Sequence, residues 1–149
     1  MIDELIKYLE EIVDVKCSKF ANYDVIEFIA TFNNIDKNVK LYVGNNSFKF
    51  EICLECPICN LEVFSSMNIF NKNCISFNAY HDSLNVMIEC VSYYNDLVMN
   101  VKEVLDELMT DDYEYVCSLI DVIDKNNRID KVELFENVIS ILSEDNKNE

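Results

Sequence analysis

The spacing of the hydrophobic residues changes along this chain, and that change constrains the fold more than any other feature. Over most of residues 26–90, apolar residues recur at every second position, the period of a β-strand with one buried face. Near both ends of the chain they recur at three- and four-residue spacing, the period of an amphipathic helix. The pattern therefore predicts an antiparallel sheet combined with helices.

Five alternating runs define the predicted strands. Three lie within residues 26–54 and predict a meander with one wet face that carries Lys49, Glu51 and Cys53. The other two lie on either side of His81-Asp82-Ser83 and predict a hairpin. The predicted buried face comprises Ile26, Phe28, Ala30, Phe32, Val39, Leu41, Val43, Phe48, Phe50, Ile52, Leu54, Ile75, Phe77, Ala79, Leu84, Val86, Ile88 and Cys90.

The remaining segments have helical spacing. Helices are predicted over 2–13, from Pro57 to about Phe70, and over 95–109, 115–123 and 129–142, the last two separated by Asn126-Asn127. The order is helix, three strands, helix, two strands, helices, which predicts an α+β fold with the helices packed on one side of the sheet. We predict a single domain over residues 1–142 and a polar tail over 143–149.

The charge of the chain restricts its partners. There are 28 acidic and 12 basic residues, net −16, yet 50% of the residues are hydrophobic, so the chain is apolar enough to fold. A field of this sign repels nucleic acid and anionic lipid and attracts basic protein surfaces. Residues 103–124 contain eight acids and no base. We predict partner-binding carboxylates there, at Asp106, Glu107, Asp111, Asp112 and Glu114.

The cysteines are the strongest candidate for a metal site. Cys53, Cys56 and Cys59 form CxxCxxC, and with Cys74 or Cys90 they supply enough thiolates for zinc or for an iron–sulfur cluster. The predicted position of Cys53 on the wet face of a strand and the absence of a second CxxC argue against it. We expect ordinary thiols and neither metal nor cofactor. Seven cysteines without paired spacing, and an acidic N-terminus unlike a secretory signal, favour a cytoplasmic protein.

Other motifs are weaker. Residues 124–135 resemble an EF-hand loop entering its second helix, but the loop is two residues short and lacks the glycine of its sharp turn. His81 is the only histidine, is predicted at a solvated hairpin tip, and has no nucleophile beside it in the sequence. With one glycine the chain has no phosphate-binding loop. We expect a protein that is not an enzyme.

The element order resembles the type III secretion chaperone fold and the related YbjN-like family, over roughly residues 2–110. The segment Ser66-Met67-Asn68-Ile69-Phe70 before an alternating strand is similar to the YbjN helix-to-strand passage. The small size and acidic composition also match these families. The helices after residue 111 go beyond their core. The resemblance implies a homodimer without a nucleotide requirement.

Two functions fit these features. The first is a small acidic chaperone-like module that masks an aggregation-prone or basic segment of a partner protein, through a sheet edge or an apolar groove. The acidic helices would then steer the encounter. The alternative is a phage or viral inhibitor that imitates a nucleic acid and blocks a basic nucleic-acid-binding protein.

Overall fold

A computed structural model gives the backbone of residues 1–147, and it describes their side chains except those of 129–134 and 144–147. The chain has the predicted α+β architecture. The elements in chain order are α1 (Ile2–Glu10), β1 (Lys16–Phe20), β2 (Tyr23–Phe32), β3 (Ile35–Val43), β4 (Ser47–Glu55), α2 (Leu61–Asn73), β5 (Asn78–Asp82), β6 (Asn85–Tyr93), α3 (Leu97–Met109) and α4 (Tyr113–Lys147).

The sheet is antiparallel and contains six strands in the order β1-β2-β3-β4-β6-β5. The strand missing from the sequence prediction is β1, all of whose residues are exposed, so it has no alternation to detect. It joins β2 through a turn in which Ala21 has φ 53°. Asn33 and Asn34, with φ 49° and 65°, form the next turn, since asparagine tolerates this region better than most residues.

The predicted buried face is confirmed on the long strands. On β4, Phe48, Phe50, Ile52 and Leu54 are each at most 3% exposed. Two residues assigned to this face are in fact exposed. Ile75 precedes β5, which begins at Asn78, and Leu84 lies in the turn after Ser83, whose φ is 55°.

The helices cover one face of the sheet. Leu5 and Leu9 of α1, and Val101 and Leu108 of α3, are buried in the same core as the strands. α2 begins at Leu61 rather than at Pro57, because Asn60 caps it: its Oδ1 accepts a hydrogen bond from the Val63 N–H at 3.0 Å. No helix in the described part of the chain is long and apolar enough to span a bilayer.

The predicted break at Asn126-Asn127 is wrong, because α4 is one continuous helix through these residues. Asparagine breaks a helix when its side chain bonds its own backbone. Here Asn127 Nδ2 donates to the Glu55 carbonyl at 2.7 Å, and the Asn126 side chain bonds residues before α2. The EF-hand-like segment 124–135 is therefore helical. The helix also enters the predicted polar tail, reaching Lys147, while residues 148 and 149 lie outside the described residues.

Candidate partner-binding surface

The face of the sheet opposite the helices is not covered by any described element. The residues of β2, β3, β4 and β6 that point to it are exposed or half-buried, except Val25. Strand register aligns Val25, Tyr42, Lys49 and Val91 in one row across this face. The pairs Phe20–Tyr23 and Ser47–Tyr93 lie one row further towards the end of the sheet.

These two rows enclose an apolar groove, which we call the aromatic groove. It has a volume of about 300 Å³ and is lined by Phe20, Tyr23, Tyr42, Ser47, Phe48, Lys49 and Val91. Phe20 and Val91 are 68% and 67% exposed, and Tyr93, on the same face of β6 as Val91, is 79% exposed. A contiguous exposed patch of aromatic and aliphatic side chains is typical of a protein-binding surface.

Gly44 shapes one side of the groove. A Cβ atom at this position would lie 3.1 Å from Tyr23 Cε1 and 3.4 Å from the Ser47 carbonyl oxygen. The only glycine of the chain thus lets the Tyr23 ring lie directly against the end of β3. Its φ is not positive, so the glycine serves this close approach rather than a left-handed turn.

A row of charged residues borders the groove. Strand register aligns Glu27, Lys40, Glu51 and Glu89 across β2, β3, β4 and β6. Lys40 lies 3.7 Å from Glu27. The carboxylates outnumber the lysine in this row, and three more acids, Asp36, Glu55 and Asp82, lie beyond it on the same face.

Lys49 links the groove to the charged row. Its Nζ lies 3.1 Å from Glu51, 3.6 Å from Glu89 and 4.7 Å from the centre of the Tyr42 ring. Burial lowers the pKa of Lys49, but the hydrogen bond to Glu51 and the charges of Glu51 and Glu89 outweigh it, so the pKa is raised. Lys49 therefore stays charged and holds both carboxylates at the edge of the groove.

Two tyrosines orient the same carboxylates. Tyr80 donates its hydroxyl to Glu89 Oε1 at 2.8 Å, and this bond, with burial and the neighbouring acids, raises the pKa of Tyr80 to about 12. Tyr42 donates more weakly to Glu51 at 3.5 Å. Glu51 and Glu89 are thus fixed side by side, with accepting oxygens still available to a basic group from a partner.

The five predicted partner-binding acids lie elsewhere, around the α3–α4 connection. Asp106, Asp111 and Glu114 are exposed. Glu107 is half-buried and accepts a hydrogen bond from Ser76 Oγ. Asp112 is 1% exposed and accepts the Ile75 N–H at 3.1 Å. The last two hold the loop before β5, so their side chains are not available as surface contacts.

Sequence reasoning overlooked the aromatic groove. The available signal was the presence of Tyr42, Val91 and Tyr93 at wet-face positions of predicted strands, where polar residues are the rule. Phe20 and Tyr23 had no comparable signal, because β1 and its turn do not alternate.

The other candidate residues do not converge on one site. Cys53 is exposed on the uncovered face, Cys56 is buried and Cys59 is half-buried. Among the side chains that the structure describes, no three His, Cys, Asp or Glu residues are grouped as a metal site requires. His81 is not at a hairpin tip as predicted. It lies within β5, half-buried, with Nε2 3.1 Å from the Cys56 carbonyl oxygen.

Comparison with known proteins finds no matching protein family and no matching curated protein.

Proposed function

We propose that this protein is a chaperone-like binding module, not an enzyme, that holds a segment of a partner protein on the uncovered face of its sheet. The observation that carries the proposal is the aromatic groove, with Phe20 and Val91 more than two-thirds exposed beside a row of fixed carboxylates. The matching segment combines large apolar side chains with lysine or arginine.

The two halves of the surface have separate roles. Apolar side chains of the partner fill the groove, and burial of aliphatic and aromatic surface supplies about 25 cal/mol per Å² removed from water. Basic side chains of the partner reach Glu27, Glu51 and Glu89, which gives orientation and selects against acidic segments. The pairing of apolar and basic groups is what an aggregation-prone, positively charged segment offers.

The acidic helices act at longer range. Asp106, Asp111 and Glu114 are exposed on the α3–α4 connection, away from the groove, and contribute to a net charge of −16. They accelerate encounter with a basic partner and keep the complex in solution. We place this activity in the cytoplasm, where the seven cysteine thiols remain reduced.

The nucleic-acid mimic remains the alternative. It requires a dense array of exposed carboxylates, and two of the five predicted partner-binding acids, Glu107 and Asp112, are engaged within the fold.

Synthetic peptides test the proposal. Fluorescence anisotropy would compare labelled peptides of alternating Leu or Phe and Lys with the same peptides carrying Glu or Ser in place of Lys. We expect the apolar-basic peptides to bind and the acidic ones not to. Replacing Phe20 and Val91 by serine should weaken binding by about tenfold or more, as for central interface residues. The matched control is Met99→Ser, at a 56% exposed residue on α3.

Salt separates the two candidate functions. Binding in the groove should be slower at about 0.5 M salt but should persist, because apolar contacts are not screened. Binding by a nucleic-acid mimic should collapse under the same conditions. Apolar-basic peptides that bind the Phe20/Val91 variant as tightly as the parent protein would refute the groove as the site.

A further inference from the structure

In the C-terminal half of α4, the described side chains no longer pack against the core. Up to Asn126 the helix buries side chains in the core, among them Val116, Ile120 and Ile123. From Arg128 onwards every residue whose side chain the structure describes is exposed. The segment 128–147 is helical and spans about 30 Å at 1.5 Å per residue.

This exposed segment is not polar. Phe135, Val138, Ile139, Ile141 and Leu142 are between 47% and 66% exposed. Phe135, Ile139 and Leu142 follow one another at spacings of four and three residues, which places them on one face of the helix as the seam of a helix pair. We call this face, formed by Phe135, Ile139 and Leu142, the apolar stripe. Monomeric proteins seldom expose so much contiguous apolar surface.

The charges along the segment indicate what covers the stripe. Residues 125–131 contain Lys125, Arg128 and Lys131 and one acid, whereas residues 132–145 contain four acids and no base. Two copies of this helix in antiparallel orientation bring the basic end of each against the acidic end of the other. A parallel pair would align like charges.

We propose that a second copy of this chain covers the apolar stripe, forming an antiparallel helix pair about a two-fold axis near Asn137. In this register Phe135 of one copy packs against Ile139 of the other, an isologous contact made twice. The proposal rests on residues that lie outside both the aromatic groove and the region covered by the family resemblance. It therefore stands or fails independently of the proposed function.

The size of the contact sets the expected strength. A two-helix contact about 30 Å long is at the lower end of specific interfaces, so we expect a dimer that dissociates in the micromolar range. The net charge of −16 on each copy opposes association at low ionic strength. Dimerisation should be measured at about 0.15 M salt, where charge repulsion beyond about 8 Å is screened.

Sedimentation velocity on the full chain, from about 1 to about 100 µM, tests the proposal over the range where such affinities lie. We expect a concentration-dependent monomer–dimer equilibrium. Phe135→Glu with Ile139→Glu should weaken it by about tenfold or more, as for central interface residues. Leu61→Glu, at an 81% exposed residue on α2, is the matched control and should leave it unchanged. A parent protein that stays monomeric, or a dimer that the stripe variant leaves intact, refutes the proposal.

Charge reversal tests the orientation. Glu144→Lys with Asp145→Lys should weaken an antiparallel dimer, and adding Lys125→Glu, Arg128→Glu and Lys131→Glu should restore it. A dimer insensitive to the first change contradicts the antiparallel arrangement. Far-UV circular dichroism checks that each variant is folded.

Crosslinking tests the register directly. A photo-crosslinking residue introduced in place of Phe135, with no other change, should join two copies near Ile139. A crosslink near position 135 itself would indicate a parallel pair.

Discussion

Asn126, in the middle of α4, donates its side-chain amide to the main-chain carbonyl of Ile58 at 2.7 Å. Its Oδ1 also accepts a hydrogen bond from Asn60 Nδ2 at 2.5 Å. The side chain is 3% exposed, so water does not replace these bonds. An asparagine expected to interrupt a helix instead joins that helix to the segment between β4 and α2.

Removing this side chain should therefore destabilise the fold. Asn126→Ala should lower the free energy of unfolding by about 1–3 kcal/mol, because it removes a buried side chain that hydrogen-bonds both the Ile58 carbonyl and the Asn60 side chain. Asn68→Ala, at an exposed position of α2, should change it by less than about 0.5 kcal/mol. Urea denaturation measures both. Similar losses in the two variants would mean that the Asn126 contacts do not stabilise the fold.

The two faces of β4 should respond differently to truncation. Phe50 is fully buried, so Phe50→Ala should cost about 3–5 kcal/mol. Glu51 faces outwards and pairs with Lys49 at 3.1 Å in a half-buried setting, so Glu51→Ala should cost about 1 kcal/mol or less. Thermal and urea unfolding give both values. Equal losses of stability would show that the assigned register of β4 is wrong.

The neighbouring acids Asp111 and Asp112 should differ in their contribution to stability. Asp112→Ala removes a buried carboxylate that accepts the Ile75 N–H, and should cost about 1–3 kcal/mol. Asp111→Ala removes an exposed carboxylate and should cost less than about 0.5 kcal/mol. Urea denaturation of both variants compares the two costs. If Asp111→Ala were the more costly change, the placement of Asp112 at the loop before β5 would be wrong.

Stability should fall in alkaline solution. Burial, with the charges of Glu107 and Asp112, raises the pKa of the Cys90 thiol from 9.0 to about 11. Below pH 9 the thiol is protonated in both the folded and the unfolded chain, and its contribution to the free energy of unfolding is fully present. Between pH 9 and 11 only the unfolded chain ionises, which costs about 1.4 kcal/mol per pH unit.

Other groups titrate in the same range, so the measurement is a comparison. The free energy of unfolding of Cys90→Ala should depend less steeply on pH than that of the parent between pH 9 and 11. Parallel pH dependences for the two proteins would show that Cys90 is not the group responsible.

The sheet was predictable because burial leaves a trace in the sequence. The alternation of Phe48, Phe50, Ile52 and Leu54 follows from the two-residue period of a strand with one buried face. Strand β1 left no such trace, since a fully exposed edge strand gains nothing from alternation. Its position is set by pairing with β2.

The candidate surface was less predictable. The aromatic groove brings together Phe20, Tyr42 and Val91 from β1, β3 and β6, and only the strand order places them side by side. The acids at 103–124 were visible as a run of charge, yet their roles depend on burial. Asp111 is exposed and Asp112 is buried, a difference that adjacent identical residues cannot reveal.

The α+β class, the buried face of the long strands and the negative charge all follow from residue type and local spacing, so they can be derived from the sequence. The remaining features come from the tertiary structure. It joined two predicted helices into α4, since the side chains of Asn126 and Asn127 bond residues far away in sequence instead of their own backbone. It also assembled the aromatic groove from five strands. These features depend on contacts between residues far apart in the sequence, and the local spacing of residues carries no information about such contacts.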